Sequence, residues 1–369
     1  MNVQEYLRHG IVHRGNLARL KACMARAAAG ETLCIGFLGG SITQGSLSSS
    51  PKLCYAHRVF EWWKENFAEG DFTYINAGIG GTSSHYGVAR AQRDLLAFRP
   101  DVVIVDFSVN DTADAFFEET FEGVIRRLLT GSSRPAVIIM NNVFYNDGHN
   151  AQEYHNRIGA WYDLPCISMK SAIYPMLEDG LFTARQLTPD DLHPNDLGHN
   201  YVAGALRYFL DQVLADLGHI ETEAALPEPL TKNAYENSRL YQKDSLCYKT
   251  EGFMVDTAPK AGLLDLYKNG WLAWEKGNKI TFDIRCSCLA VQYRKSVRHP
   301  VPAAIAVIDG DTDHPVLLDG NFDEDWGDCL YIEKLIHHGE DKVHRLEIVI
   351  SEAHETDVRP FYLVAVIAS

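Results

Sequence analysis

Two kinds of apolar pattern alternate through the first 215 residues. Short runs in which nearly every position is apolar, such as TLCIGFLGG (32–40), Val102–Phe107 and AVIIMNNV (136–143), are separated by longer stretches whose apolar residues recur every three or four positions. The first pattern suits a strand covered on both faces, the second one face of a helix. In NLARLKACMARAAAGE, Leu17, Leu20, Cys23 and Met24 share a face, and Gly30 is placed to stop the helix. KLCYAHRVFEWWKENF, VARAQRDLLAF, FEETFEGVIRRLL and HNYVAGALRYFLDQVLADL read as further helices, and FTYINAG and LPCISM as further strands. Strands alternating with helices of this length predict βαβ units, a parallel sheet and a three-layer α/β domain.

Near residue 220 the pattern changes. ETEAALPEPLTKNAYEN carries two prolines and no periodicity, and reads as a linker. Beyond it no long amphipathic helix is legible. KITFDIRC, CLAVQYRKS, PAAIAVIDG, CLYIEKLI, HRLEIVIS and FYLVAVIA, separated by turn residues, predict a β-sandwich. The expected division is an α/β domain over 1–225 and an all-β domain over 226–369, each long enough to bury a core of its own.

Composition narrows the choice of partners. Of 369 residues, 46% are hydrophobic and 22% charged, the balance of a soluble globular protein. A net charge of −15 and a pI near 5.4 repel phosphate backbones and anionic lipid, which excludes nucleic acid and membrane surfaces as expected partners. A neutral sugar or an uncharged ester is compatible. The opening MNVQEYLRHGIVHRGN shows no basic segment followed by an apolar one, and no apolar run is long enough to span a bilayer. Cysteines stand at 23, 34, 54, 166, 247, 286, 288 and 329 with no CxxC, as in a chain kept reduced, so a cytoplasmic location is expected. Cys286 and Cys288 share a strand face and suit two packed thiols.

Four segments lie at the carboxyl ends of predicted strands or on a late loop, and in open parallel sheets that edge binds ligands. Ser41, in GFLGGSIT, follows the first long strand where a helix would begin, so free backbone N–H groups surround it. Thr43 breaks the G-x-S-x-G pattern of an α/β-hydrolase elbow. Taken alone, the segment is equally a glycine turn or a helix cap. NAGIGGTS (76–83) ends the next strand in a glycine-rich turn without the G-K-[ST] of a P-loop. SVND (108–111) ends the third strand with a side-chain amide, or with a simple Asn-Asp turn. In DDLHPN (190–195), Asp190 and His193 are spaced so that a carboxylate can hold an imidazole in one tautomer while its other nitrogen faces a nucleophile. Pro194 keeps this segment from being helical.

In order and strand context the four segments resemble the blocks of the SGNH hydrolases, also called the GDSL esterase/lipase family, over about residues 30–215. The resemblance implies a flavodoxin-like SGNH domain in which Ser41 is the nucleophile, His193 its base and Asp190 the acid that orients it. It assigns the oxyanion hole to the N–H groups of Ser41 and Gly81 and the amide of Asn110, with no metal and no cofactor. Two positions depart from the family: Gly40 stands where G-D-S has its aspartate, and Ser108 where G-x-N-D has its glycine.

G-G-S-I-T is similar to carbohydrate-acting members. An all-β sandwich of jelly-roll type behind such a domain resembles the carbohydrate-binding modules of mannan acetylesterases. The reaction implied is removal of O-acetyl groups from plant-derived oligosaccharides, acetylated manno-oligosaccharides among them. Trp326, in the acidic loop GNFDEDWGD, is the candidate substrate-binding residue; the alternative packs it within its own domain or against the partner of a homodimer. Trp271 and Trp274 read as core or rim residues. Asp309, Asp311 and Asp313 alternate as calcium ligands could. Two other functions stay open: an esterase, lipase or thioesterase for longer acyl chains, and a non-catalytic sugar-binding protein on an esterase fold.

Overall fold

The computed structural model describes residues 3–369, and the chain divides between Glu236 and Asn237. The first unit is built on a six-stranded sheet: β1 (Ile11–His13), β2 (Thr32–Gly39), β3 (Asp71–Gly78), β4 (Val102–Asp106), β5 (Ala136–Asn141) and β6 (Cys166–Ser168). The order across it is β1-β6-β5-β4-β2-β3. Strands β2 to β6 pair in parallel, while β1 runs antiparallel along β6. Every residue of β4 and β5 is buried, the condition their unbroken apolar runs predict.

The helices are α1 (Val3–His9), α2 (Ala18–Ala28), α3 (Ser41–Gln44), α4 (Tyr55–Asn66), α5 (Ser84–Asp94), α6 (Ala115–Thr130) and α7 (Gln152–Trp161). Three short turns follow, α8 (Met169–Ala172), α9 (Tyr174–Glu178) and α10 (Ala184–Leu187), and then the long α11 (Asp196–Ala215). Ile35, Phe37, Val102, Ile104, Ile138 and Met140 form one core with α2, α4 and α11. Side chains alternate across a strand, so the intervening residues face the other layer, where α5, α6 and α7 pack in succession. From β2 the chain steps to β3 on one side and returns to β4 on the other. That reversal opens a crevice at the carboxyl end of β2.

Three parts of this unit escape the apolar pattern. Strand β1 is too short to show a period, and α7 carries only three buried residues, His155, Ile158 and Gly159. The third is the strap over 221–236, whose second half the sequence pattern gives to the following domain. Glu221 pairs with Arg14 and Lys21, Glu223 with Arg19, and Glu236 with Arg126. The Glu122 carboxylate, fully buried on α6, accepts the N–H groups of Leu230 (2.6 Å) and Thr231 (2.8 Å). Ion pairs and single buried acceptors fix the strap, and such contacts leave no periodic trace.

The second unit holds eleven antiparallel strands: β7 (Arg239–Tyr241), β8 (Tyr248–Glu251), β9 (Met254–Val255), β10 (Trp271–Ala273), β11 (Lys279–Cys286), β12 (Leu289–Lys295), β13 (Ala303–Ile308), β14 (Val316–Asp319), β15 (Cys329–Ile336), β16 (Lys342–Glu352) and β17 (Phe361–Ala368). One sheet runs β15-β12-β17-β10-β9 with β7 on β17; the other runs β14-β13-β16-β11-β8. Trp271, Phe282, Leu346, Ile348 and Leu363 pack in the core they share. Trp271 is buried edge-on to Phe282 and Tyr248, whereas Trp274 is exposed. The six strands legible in the sequence are the longest; the missed ones, β7 to β10 and β14, have four residues or fewer. Among the described residues, no helix is long and apolar enough to cross a membrane.

Candidate active site

Ser41 opens α3 directly beyond β2, the strand on which the chain reverses its order across the sheet. Its side chain is buried, and His193 Nε2 lies 2.8 Å from its hydroxyl oxygen. His193 Nδ1 lies 2.6 Å from Asp190 Oδ2. A carboxylate beside Nδ1 keeps the ring proton there and leaves Nε2 to accept from the serine hydroxyl. The other carboxylate oxygen of Asp190 accepts the N–H groups of His193 (2.8 Å) and Leu192 (3.1 Å) and the hydroxyl of Thr188 (3.0 Å). Partial burial works to raise the Asp190 pKa; the donors from His193 and Leu192 outweigh it and hold the group down to about 2. The carboxylate is therefore ionised wherever the imidazole has to be steered.

The loop carrying this pair is fixed at both ends. Asn195 donates its N–H to Leu187 O (2.8 Å), and its side chain caps α11 by accepting from Leu197 and Gly198. Tyr145 N–H donates to Asp191 O (2.7 Å). Asp196, in the first turn of α11, accepts Ser49 N–H (2.8 Å) and the Ser49 hydroxyl (2.6 Å), which ties the His193 loop to the segment after α3.

The glycine turn after β3 and the Asn110 turn both lie close to the start of α3. Among the described residues, none accepts a hydrogen bond from the N–H of Ser41, the N–H of Gly81 or the side-chain amide of Asn110. Gly81 turns with φ +65°, a left-handed value that glycine adopts without cost. A Cβ built on its neighbour Gly80 would lie 3.6 Å from Ser41 Cβ, so this turn abuts the serine. Asn110 lies against Gly40, where a Cβ would fall 2.1 Å from Asn110 Oδ1. The family's aspartate cannot occupy position 40 unless the amide moves, a physical reason for the glycine found there.

Further polar side chains brace the turns around Ser41. Gln44 Oε1 accepts Gly80 N–H (2.7 Å), and Asn76 donates to Thr43 O (2.8 Å) while accepting Gly78 N–H (2.9 Å). Asp111, next to Asn110, accepts Ser84 N–H (2.8 Å) at the start of α5 and pairs with His155 Nε2 at 3.0 Å. Burial pushes the Asp111 carboxyl up, against the hydrogen bond from His155. Beneath Ser41, Asp106 Oδ2 accepts from the Asn142 amide (2.7 Å) and Thr43 hydroxyl (3.4 Å), and Thr43 meets Tyr55 OH at 2.7 Å. Burial pushes Asp106 up to about 6 in spite of these donors. Asp111 and Asn76 had a signal in the sequence, their places in SVND and NAGIGGTS; Gln44 and His155 act through partners far along the chain.

In the second unit Trp326 is 56% exposed, its indole edge-on to Phe322 at 5.1 Å and its N–H on Glu324. The three aspartates read as calcium ligands do not converge. Asp309 takes His344 Nδ1 (2.9 Å) and Arg345 N–H (2.9 Å), whereas Asp311 caps the turn at Asp313 and His314.

A strand-end serine with a histidine–carboxylate pair, on a sheet of this order, defines a hydrolase of the flavodoxin-like α/β class. The model of the GDSL-like lipase/acylhydrolase family matches residues 37–201. A two-domain esterase (CEX) active on acetylated mannans, crystallised with mannopentaose, is 53% identical over 98% of this chain and 97% of its own, with a TM-score of 0.96. A second structure of a two-domain esterase (CEX) active on acetylated mannans is 52% identical over 98% of both chains, with a TM-score of 0.97. No curated protein sequence matches significantly. The chain belongs to the GDSL-like lipase/acylhydrolase family and is a carboxylic ester hydrolase.

Proposed function

We propose that this protein removes O-acetyl groups from plant-derived mannan oligosaccharides through an acyl-enzyme on Ser41. The observation that carries the chemistry is the hydrogen-bond line Asp190–His193–Ser41. The full-length likeness to an esterase active on acetylated mannans supports the substrate.

His193 Nε2 takes the hydroxyl proton as Ser41 Oγ attacks the acetyl carbonyl, and Asp190 stabilises the imidazolium. The carbonyl electron pair moves onto oxygen, where the N–H groups of Ser41 and Gly81 and the amide of Asn110 receive it. Collapse of this intermediate breaks the bond to the sugar oxygen, which leaves with the proton from His193. Water, deprotonated by His193, then attacks the acetyl-serine; acetate departs and Ser41 regains its proton. In the second unit the exposed face of Trp326 stacks on a pyranose ring, with the acidic side chains of its loop accepting from sugar hydroxyls.

Acetate release from acetylated manno-oligosaccharides, measured beside a series of 4-nitrophenyl esters from acetate to octanoate, tests the proposal. Expected are a steep fall after acetate and loss of turnover in a folded Ser41→Ala chain. A flat or rising series moves the protein to longer acyl chains. Labelling of Ser41 by an organophosphate separates an esterase from a sugar-binding protein; failure to label removes the acyl-enzyme.

A further inference from the structure

Cys288, His337 and His338 come together at one end of the sandwich. Strands β12 and β15 pair with Leu289 opposite Ile336, so the register alone brings Cys288, one residue before β12, to the histidines one and two residues after β15. One donor atom from each, Cys288 Sγ and a ring nitrogen of each histidine, lies within 4.8 Å of the other two. None of the three belongs to the esterase site.

Neighbouring residues on a strand point to opposite faces, so consecutive histidines do not ordinarily share a ligand. Here the chain turns at His338 with φ +55°, a left-handed value uncommon outside glycine. The two imidazole centroids stand 4.0 Å apart as a result. The turn is bonded in place: His338 N–H donates to Cys288 Sγ (3.4 Å) and Gly339 N–H to Ser287 O (2.8 Å). From the other side, Ser287 and Cys288 N–H groups both donate to Ser369 O (2.7 and 2.9 Å). The N–H–sulfur contact fixes where the Cys288 sulfur lies relative to the two histidines. Cys288 is buried beneath, and His337 is exposed above it.

We propose that Cys288, His337 and His338 bind a zinc ion, with water in the fourth position. One thiolate and two neutral imidazoles form a mixed sulfur–nitrogen set, which suits zinc and not the oxygen-seeking calcium or magnesium. With Zn–S near about 2.3 Å and Zn–N near about 2.0 Å, tetrahedral ligand atoms stand roughly 3.5 Å apart. Binding expels the thiol proton, so affinity rises with pH.

Zinc affinity and stoichiometry of the full chain, read by competition with a chromogenic chelator, test the site, together with the thiolate-to-metal charge-transfer band after cobalt(II) substitution. One equivalent bound at micromolar or tighter affinity is expected. Cys288→Ser should abolish the cobalt–thiolate band, and His337→Gln and His338→Asn should each weaken zinc at least about tenfold. Asparagine tolerates the left-handed turn, and His337 is exposed, so both chains should keep the parent circular dichroism. His314→Gln, at an exposed histidine elsewhere in the unit, should bind as the parent does. Absence of micromolar binding in the parent, or binding unaltered by Cys288→Ser, overturns the proposal.

Discussion

Two of the carboxylate–imidazole pairs in the first unit are chemically alike and physically opposed. Asp190 and His193 sit on a loop, and the imidazole nitrogen left over by the carboxylate faces the Ser41 hydroxyl. Asp111 and His155 are buried; the His155 ring stacks on Phe121 with centroids 3.6 Å apart, and its Nδ1 has no partner among the described residues. The His193 ring, with the backbone donors of His193 and Leu192, holds the first carboxylate down to about 2 against its partial burial, whereas burial raises the second. The pair fits the proposed catalytic role only where its second nitrogen meets a hydroxyl. Elsewhere the same two groups serve as a rivet: Asp111 joins the Asn110 turn to the start of α5, just beyond Gly81.

The largest effect separates the two pairs. His193→Ala should lower kcat on 4-nitrophenyl acetate by about 10⁶ with KM little changed, and Asp190→Asn by about 10⁴. His155→Phe, which keeps the ring stack, should cost at most about tenfold in kcat. Equal losses at 193 and 155 would break the comparison. Next comes the amide that the rivet positions: Asn110→Ala should cost about 10²–10³ in kcat and leave KM largely unaltered. A loss confined to KM would place Asn110 in ground-state binding instead.

Stability should reverse the ranking. His155→Phe strands a buried carboxylate and should destabilise the first unit by about 3–5 kcal/mol in urea unfolding, with part recovered in the double variant with Asp111→Asn. His193→Ala should change stability by less than about 1 kcal/mol, since the Asp190 carboxylate it pairs with is half exposed. A stable His155→Phe chain would remove the rivet.

The smallest effect is one of pH, and two buried groups oppose each other in it. Folded Asp106 keeps a proton to about 6 that the unfolded carboxyl loses near 3.8, so its contribution falls as pH rises through that window. His199 is held down to about 4 by burial against an ordinary value of 6.5, so its contribution is lost as pH falls from 6.5 to 4. Each amounts to about 3 kcal/mol, and together they nearly cancel. Relative to the parent, Asp106→Asn should therefore lose stability more steeply on acidification from pH 6.5 to 4, and His199→Gln less steeply. Two slopes equal to the parent's would mean that neither group titrates in this range.

The same contrast explains what the sequence could reveal. Strands β2 to β5 and the helices between them announce themselves because a sheet covered on both faces needs unbroken apolar runs. Ser41, Gly81, Asn110, Asp190 and His193 were legible because each stands at a strand end or on a loop of set spacing. The supports were not. Gln44 reaches Gly80, and His155 reaches Asp111, across 36 and 44 residues, and a single hydrogen bond imposes no pattern at that separation. The strap escaped for a related reason: its order comes from glutamates that meet arginines far upstream.

That strap determines where this protein can be shortened. A chain ending at 225 would keep every strand and helix of the first unit yet leave the Glu122 carboxylate without the Leu230 and Thr231 donors that reach it in the helical layer. A chain ending at 236 retains both donors and the Arg126–Glu236 pair as well. Eleven residues without secondary structure thus belong to the folding unit of the esterase fold, and an autonomous catalytic fragment has to carry them.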